Sequence, residues 1–398
     1  MGGGLMQLVA YGAQDIYLTG NPQITFFKAI YRRHTNFAIE AIEQTFNGTV
    51  DFGRKVTATI SRNGDLIHKV YLQVDLPTLA SAGTVAWTKH IGLVLINNVE
   101  VEIGGQKIDK HYGVFMHIWN ELTLSEEQKA NYYKMIGNTT DLTTASASVT
   151  GRTLYIPLQF WFCQNIGLAL PLIALQFHEV KINLEFRPFS ECYTVGSAGA
   201  VTVASLTNAS LFVDYIYLDN DERKQFAQIS HEYLIEQLQF PGNEGFASTL
   251  VRQKVNFNHP CKEFIVTPQL DSNVAANVNR WTDFTDGSVA YAGLQPLVDL
   301  KLQLNGHDRF STRKAEYFNQ VQPFQHHTRG PSVGIYVYSF ALRPEEHQPS
   351  GTVNMSRIDN AVLQLTLASS AACKVSTYAR NYNVLRIMSG MGGLAYSN

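Results

Sequence analysis

Apolar and polar residues alternate along most of this chain, and the alternation recurs in a repeated order. Val99, Val101 and Ile103 alternate into Gly104-Gly105, and later Leu300, Leu302 and Leu304 alternate into Asn305-Gly306. A period of two marks a half-buried strand, and Gly-Gly or Asn-Gly between such runs marks a hairpin turn. An aromatic stretch of helical character follows each: Tyr112, Phe115 and Trp119 first, then Tyr317, Phe318 and Phe324. Two further pairs lie in the same order. Ile60-Ser61-Arg62-Asn63 before Ile67 answers Phe257-Asn258-His259-Pro260 before Phe264, at an offset of 197. Val180, Ile182 and Leu184 answer Leu363, Leu365 and Leu367, at an offset of 183. Three colinear pairs predict a tandem duplication of one all-β unit, with a longer loop in the first copy.

Between these landmarks the chain reads as short strands and loops. Residues 1–20 are glycine-rich and apolar without a period, so they read as an arm. Asn21-Pro22 gives a helix start, with Asn as cap and Pro at the first helical position. Ile24, Phe27 and Tyr31 then share one face, with Lys28, Arg32 and Arg33 elsewhere, which predicts a short amphipathic helix that either covers the open end of a β-domain or turns its basic side to a partner or membrane surface. Strands follow, including Val70, Leu72, Val74 and Leu76 ahead of Pro77. Residues 138–151, rich in Thr, Ser and Ala, read as an exposed loop. The charged run Asp219 to Lys224 is the break between domains. This gives an arm and helix start at 1–25, a first β-domain at 26–218, a linker at 219–231 and a second β-domain at 232–398. Asp271 to Gly293 and Arg343 to Gly351 are long polar loops, and Asn273, Asn277, Asn279 and Trp281 are candidates for an outward-facing recognition loop. Loops of this length on many short strands favour a sandwich or jelly roll over a propeller.

Length agrees with two cores, since 398 residues exceed what one usually holds. Hydrophobic residues make up 45% and charged residues only 16%, which suits either a protein packed against copies of itself or a large core coated with Ser, Thr and Asn. The net charge is −2 and the basic residues are scattered, so no stripe exists to neutralise phosphates, and direct nucleic-acid binding is not expected. Cys163, Cys192, Cys261 and Cys373 lie far apart and read as reduced, buried thiols of a cytosolic product. No signal peptide or membrane-spanning run is visible, and Met6 stands where a myristoylation motif wants Ser or Thr.

The chemistry of catalysis is missing from the pattern. None of the twelve histidines forms His-x-His, and His326-His327 would face opposite sides of a strand. The glycine run Gly390 to Gly393 imitates a dinucleotide fingerprint but has no room for the helix that would present it. No cofactor, metal or enzyme activity is expected. A jelly-roll hydrolase or metal enzyme is kept as a third reading, because glycosidase carboxylates need no sequence motif.

The segment from Leu8-Val9-Ala10-Tyr11-Gly12 through Asn21-Pro22-Gln23-Ile24-Thr25-Phe26-Phe27 to Asn36-Phe37 resembles the opening of the major capsid proteins of nucleocytoplasmic large DNA viruses, nearest the algal-virus branch. Asp221-Glu222-Arg223 with His231-Glu232-Tyr233 resembles that family's inter-domain segment. Gly334 to Leu342 and Ser356-Arg357-Ile358-Asp359-Asn360 resemble its second-domain signature. The resemblance implies an all-β double jelly roll of two tandem eight-stranded antiparallel sandwiches with a short N-terminal arm and helix. It implies a homotrimeric, pseudo-hexagonal capsomer in the icosahedral shell of a virion made in the host cytoplasm. Neighbouring capsomers, minor capsid and penton proteins, and an internal viral membrane reached by the arm would be its partners, and the outer loops would carry glycans. The rival is a carbohydrate-binding jelly roll on the virion, with Trp281, Phe284 and Tyr291 as its aromatic cluster.

Overall fold

The computed structural model describes residues 3–27 and 31–397. It divides into two compact units, Met1–Phe37 and Ala38–Asn398. In the first, the helix Gly3–Val9 (α1) is followed by a 3-10 turn Ala13–Asp15 and a short helix Ile16–Thr19. The helix expected from Asn21 is not formed at residues 21–27 or 31–36, and Lys28 lies outside the described residues. Two local causes act against it. Asn21 takes a left-handed φ of 50° rather than the extended backbone of a cap. Thr25-Phe26-Phe27 are weak helix formers, and a short helix without a packing surface is marginal in water.

The second unit holds sixteen principal strands in two sets of eight. The first set is β1 (Phe37–Gln44), β2 (Lys55–Thr59), β3 (Leu66–Asp75), β4 (Ile96–Ile103), β5 (Gln106–Tyr112), β6 (Thr153–Pro157), β7 (Val180–Phe186) and β8 (Asn208–Leu218). The second is β9 (His231–Gln239), β10 (Leu250–Val255), β11 (Pro260–Leu270), β12 (Leu297–Leu304), β13 (His307–Asp308), β14 (Tyr336–Ser339), β15 (Ala361–Leu367) and β16 (Cys373–Met388). The first set pairs in the orders β1-β8-β3-β6 and β2-β7-β4-β5, and the second in the orders β9-β16-β11-β14 and β10-β15-β12-β13. Each strand of the second set takes the place of the strand eight before it. Two facing four-stranded sheets with these crossovers make a jelly roll, so the fold is a double jelly roll.

The sequence pairs fall on equivalent strands. The alternating runs at 180–184 and 363–367 lie on β7 and β15, which share one alternating burial pattern. A β-strand sends successive side chains to opposite faces, so this pattern places one row in each core. Val56, Leu72, Val101 and Ile182 are among the first core, and Val251, Phe264, Leu302 and Leu365 among the second.

The connections are more ordered than expected. Within 138–151, Thr140–Thr143 is a helical turn and Ser146–Val149 a strand beside Leu79–Trp87, with Leu142 and Val149 buried. The stretch 219–231 is largely a helix, Asn220–Gln228, started by Asp219, whose carboxylate accepts from the Asn220 N–H. Arg223 of this helix pairs with Asp65 at 3.0 Å.

Candidate functional site: the junction between the two jelly rolls

After β5 the chain turns into the helix Gly113–Thr123 (α2). A helix is possible here because Val114, Phe115, Ile118, Trp119 and Leu122 recur at spacings of three and four. Phe115, Ile118, Trp119 and Leu122 do not enter the first core. They form a separate cluster with Ile265 of β11, Val337 of β14 and Tyr378 of β16, together with Phe284 and Ile335. The outer face of sheet β9-β16-β11-β14 is therefore covered by α2. β5 joins the cover: the Gln237 amide donates to the Ile108 carbonyl, and the Leu238 N–H donates to Asp109 Oδ1 at 3.1 Å.

A buried chain of charges lies beside this apolar contact. Glu236 of β9 meets Lys262 Nζ at 2.8 Å and also pairs with the Arg380 guanidinium. Arg380 reaches Glu263 at 3.3 Å, and Glu263 reaches His327 Nε2 at 3.0 Å. His327 Nδ1 meets Glu345 at 2.9 Å. Both imidazole nitrogens face carboxylates, so the ring is an imidazolium and three cations balance three anions. Burial pulls His327 toward its neutral form, but Glu263 and Glu345 outweigh it and raise its pKa to about 9. Burial also favours neutral Glu236, yet Arg380, His347 and Lys262 hold it down at about 2. For Lys262, burial and Arg380 act together, and its pKa falls to about 8. The Trp119 indole closes the site, with the Arg380 guanidinium 3.6 Å from its ring centre. An ion network sealed in this way fixes one relative placement of its strands, since losing any member leaves a buried charge unpaired.

The loop after β11 fastens the other flank. Asn279 donates its side-chain amide to the carbonyls of Ser190 and Tyr193, each at 2.8 Å, and the Asn277 carbonyl accepts from the Val195 N–H. The Trp281 indole N–H donates to the Glu191 carbonyl at 2.9 Å, and the Arg187 guanidinium lies 3.9 Å from the Trp281 ring centre. Asn273 is spent inside the loop, donating to the carbonyls of Asp283 and Thr285. Asn273 and Asn279 are buried, so this part of the expected outer loop is instead an internal clasp. The physical reason is that Asn satisfies backbone carbonyls in an irregular segment that no strand partner reaches. The aromatic cluster of the carbohydrate reading is consumed in the same way. Phe284 is buried in the α2 cluster, and the Tyr291 ring stacks under Lys89 at 4.2 Å.

Gly104 and Gly105 join β4 to β5, and Asn305 and Gly306 join β12 to β13; all four take positive φ. Ile24, Phe27, Tyr31, Arg32 and Arg33 are exposed residues of the first unit. The four cysteines are free and buried. Among the described residues no cluster of His, Cys, Asp or Glu is arranged to hold a metal, and no helix is long and apolar enough to cross a membrane. The charge network escaped the sequence reading. Its one signal was charge inside strands, at Lys262-Glu263 beside Phe264 and at Arg380 beside Ala379, where an exposed edge reads the same way.

Residues 25–219 match the family described as major capsid protein N-terminus, and residues 222–393 match the large eukaryotic DNA virus major capsid protein. The chain is 55% identical to the major capsid protein of Pyramimonas orientalis virus, over all of both chains. It is 40% identical to the chain of a quasi-atomic PBCV-1 virus capsid, with a TM-score of 0.78 and coverage of 94% of this chain and 100% of that one. The Faustovirus major capsid protein shares the fold at 14% identity, with a TM-score of 0.82 and coverage of 95% and 94%.

Proposed function

The chain belongs to the major capsid protein family of large eukaryotic DNA viruses, and from that premise we propose that it forms the icosahedral shell as trimeric capsomers of pseudo-hexagonal outline. The observation that carries this reading is the repeated strand order held rigid by the junction. Three chains with two similar wedges each close a ring of six, which satisfies the interfaces of a trimer and leaves a hexagonal rim for lattice contacts. Repetition over a closed shell makes weak rim contacts cooperative. The arm, with Ile24, Phe27, Tyr31, Arg32 and Arg33, is the segment we assign to minor capsid proteins and the internal membrane. Light scattering after gel filtration tests the trimer, with three times 44.5 kDa expected and a monomer opposing it. Deleting residues 1–25 is expected to leave a folded trimer that recruits minor capsid proteins poorly; loss of the trimer on deletion would remove that assignment.

A further inference from the structure

Two histidine sites of opposite character pack on α2. At the first, His327 lies against Trp119, ring centroids 6.2 Å apart, with a carboxylate on each nitrogen. The second is a pair. His90, 6% exposed, takes a left-handed φ of 57° ahead of the short helix Ile91–Leu95, and His117 of α2 is 4% exposed. Their ring centroids are 4.3 Å apart, with the planes at 41°. The Asn138 amide nitrogen, which can only donate, lies 3.1 Å from His90 Nε2, so that nitrogen accepts. Nδ1 therefore carries the hydrogen and donates to Thr282 Oγ1 at 3.0 Å. These bonds hold a neutral imidazole with no carboxylate on it.

The groups around the pair offer no spare anion. Glu121, one turn after His117 on α2, accepts from the Tyr133 hydroxyl at 2.9 Å and pairs with Arg329 at 3.0 Å. In the loop after β11, Asp283 accepts from the Thr285 N–H and hydroxyl and from the Tyr291 N–H, and lies 3.8 Å from Arg280. The helix Glu126–Met135 (α3) brings Tyr133 against the His90 ring and Lys129, which pairs with Glu126 at 3.2 Å. Lys89, exposed beside His90, adds a further cation. Burial, then His117, Lys89 and Lys129, hold His90 well below the ordinary histidine value. Burial also lowers His117, against the pull of Glu121 and with that of Arg329.

We propose that His90 and His117 form an acid-sensitive latch on the junction: protonation of the pair drives α2 away from the turn at His90 and from the loop at Thr282–Thr285, loosening the two jelly rolls without unfolding them. Two like charges at ring-contact distance, with no counter-ion and an amide hydrogen facing Nε2, destabilise the closed arrangement. The sign follows from where protons bind more readily. Histidines released from burial return toward 6.5, so the junction is closed above about that pH and opens as pH falls below it. His327 keeps its charge over this range and does not release the helix. A shell of such chains would soften on acidification, but the latch lies within one chain and does not depend on the trimeric reading.

Hydrogen exchange of the full chain at pH 7 and pH 5, corrected for intrinsic amide rates, tests the latch. Amides of α2 and of residues 282–285 are expected to exchange at least about tenfold faster at pH 5, while those of β4 and β7 in the first core keep their protection. Asn138→Asp puts a carboxylate on His90 Nε2, as Glu263 does for His327, and is expected to abolish most of the increase. His117→Gln removes one of the two charges and is expected to reduce it. Equal exchange of α2 at the two pH values in the wild type overturns the latch. So does an increase that spreads to β4 and β7, or one that either variant leaves as large as before.

Discussion

The two equivalent outer faces, β9-β16-β11-β14 and β1-β8-β3-β6, have the same strand order and opposite chemistry. The first is covered by α2 and carries a closed chain of buried ion pairs beneath Trp119. The second presents stacked aromatic rings and the carboxylates of Glu43, which accepts from the Ser210 hydroxyl, and Asp214, neither with an ion-pair partner among the described residues. Duplication supplies one scaffold twice, and the difference follows from what each face meets. A face closed during folding can afford buried charge, because its partners arrive on the same chain. A face that no other segment of Ala38–Asn398 covers keeps its carboxylates near water, where a charge without an ion-pair partner costs little.

Breaking the covered face should have the largest effect. Arg380→Ala leaves Glu236 and Glu263 buried without their shared cation, so equilibrium unfolding in urea should show a loss of about 3–5 kcal/mol. A loss below about 1 kcal/mol would mean that the network adds little to the junction. Gly306→Val comes next. The site is open, but φ is +80°, so a β-branched residue pays backbone strain alone and should cost about 2 kcal/mol, read as a lower melting temperature.

The same network gives a pH signature. His327 is raised from 6.5 to about 9, so its contribution to stability is fully present below about 6.5 and disappears as pH rises through 9. Lys262 acts in the opposite sense, but only above about 8, where its folded and ordinary values part. Between pH 6 and 8 unfolding free energy should therefore fall by roughly 1–2 kcal/mol through His327, and His327→Gln should flatten that slope. On the bare face, Tyr155→Ser should change stability by less than about 0.5 kcal/mol, since the ring is 41% exposed. A loss above about 1 kcal/mol would show that this face is already closed within the chain.

What could be read in the sequence follows from which surfaces leave a period. Val99, Val101 and Ile103 bury one side of β4, so the alternation and the turn after it were visible, as was the matching run on β12. β11 and β16 are buried on both sides, one by the core and one by α2, and such strands lose alternation. Ile265 and Tyr378 therefore read as more core, and Lys262, Glu263 and Arg380 as interruptions. The clasp was hidden for a different reason. Asn273 and Asn279 have the composition of a solvated loop, and only tertiary contact shows that their amides are used internally. In the arm, helical spacing at Ile24, Phe27 and Tyr31 was present, but residues 21–27 and 31–36 carry no helix, which shows how little periodicity weighs where no surface is packed.

A cryo-EM reconstruction of the purified capsomer tests the central claim most directly. The account predicts three chains around one axis, each with its two jelly rolls side by side, in a particle of pseudo-hexagonal outline. A monomer, or a particle whose two jelly rolls are not held by the α2 junction, would contradict the account.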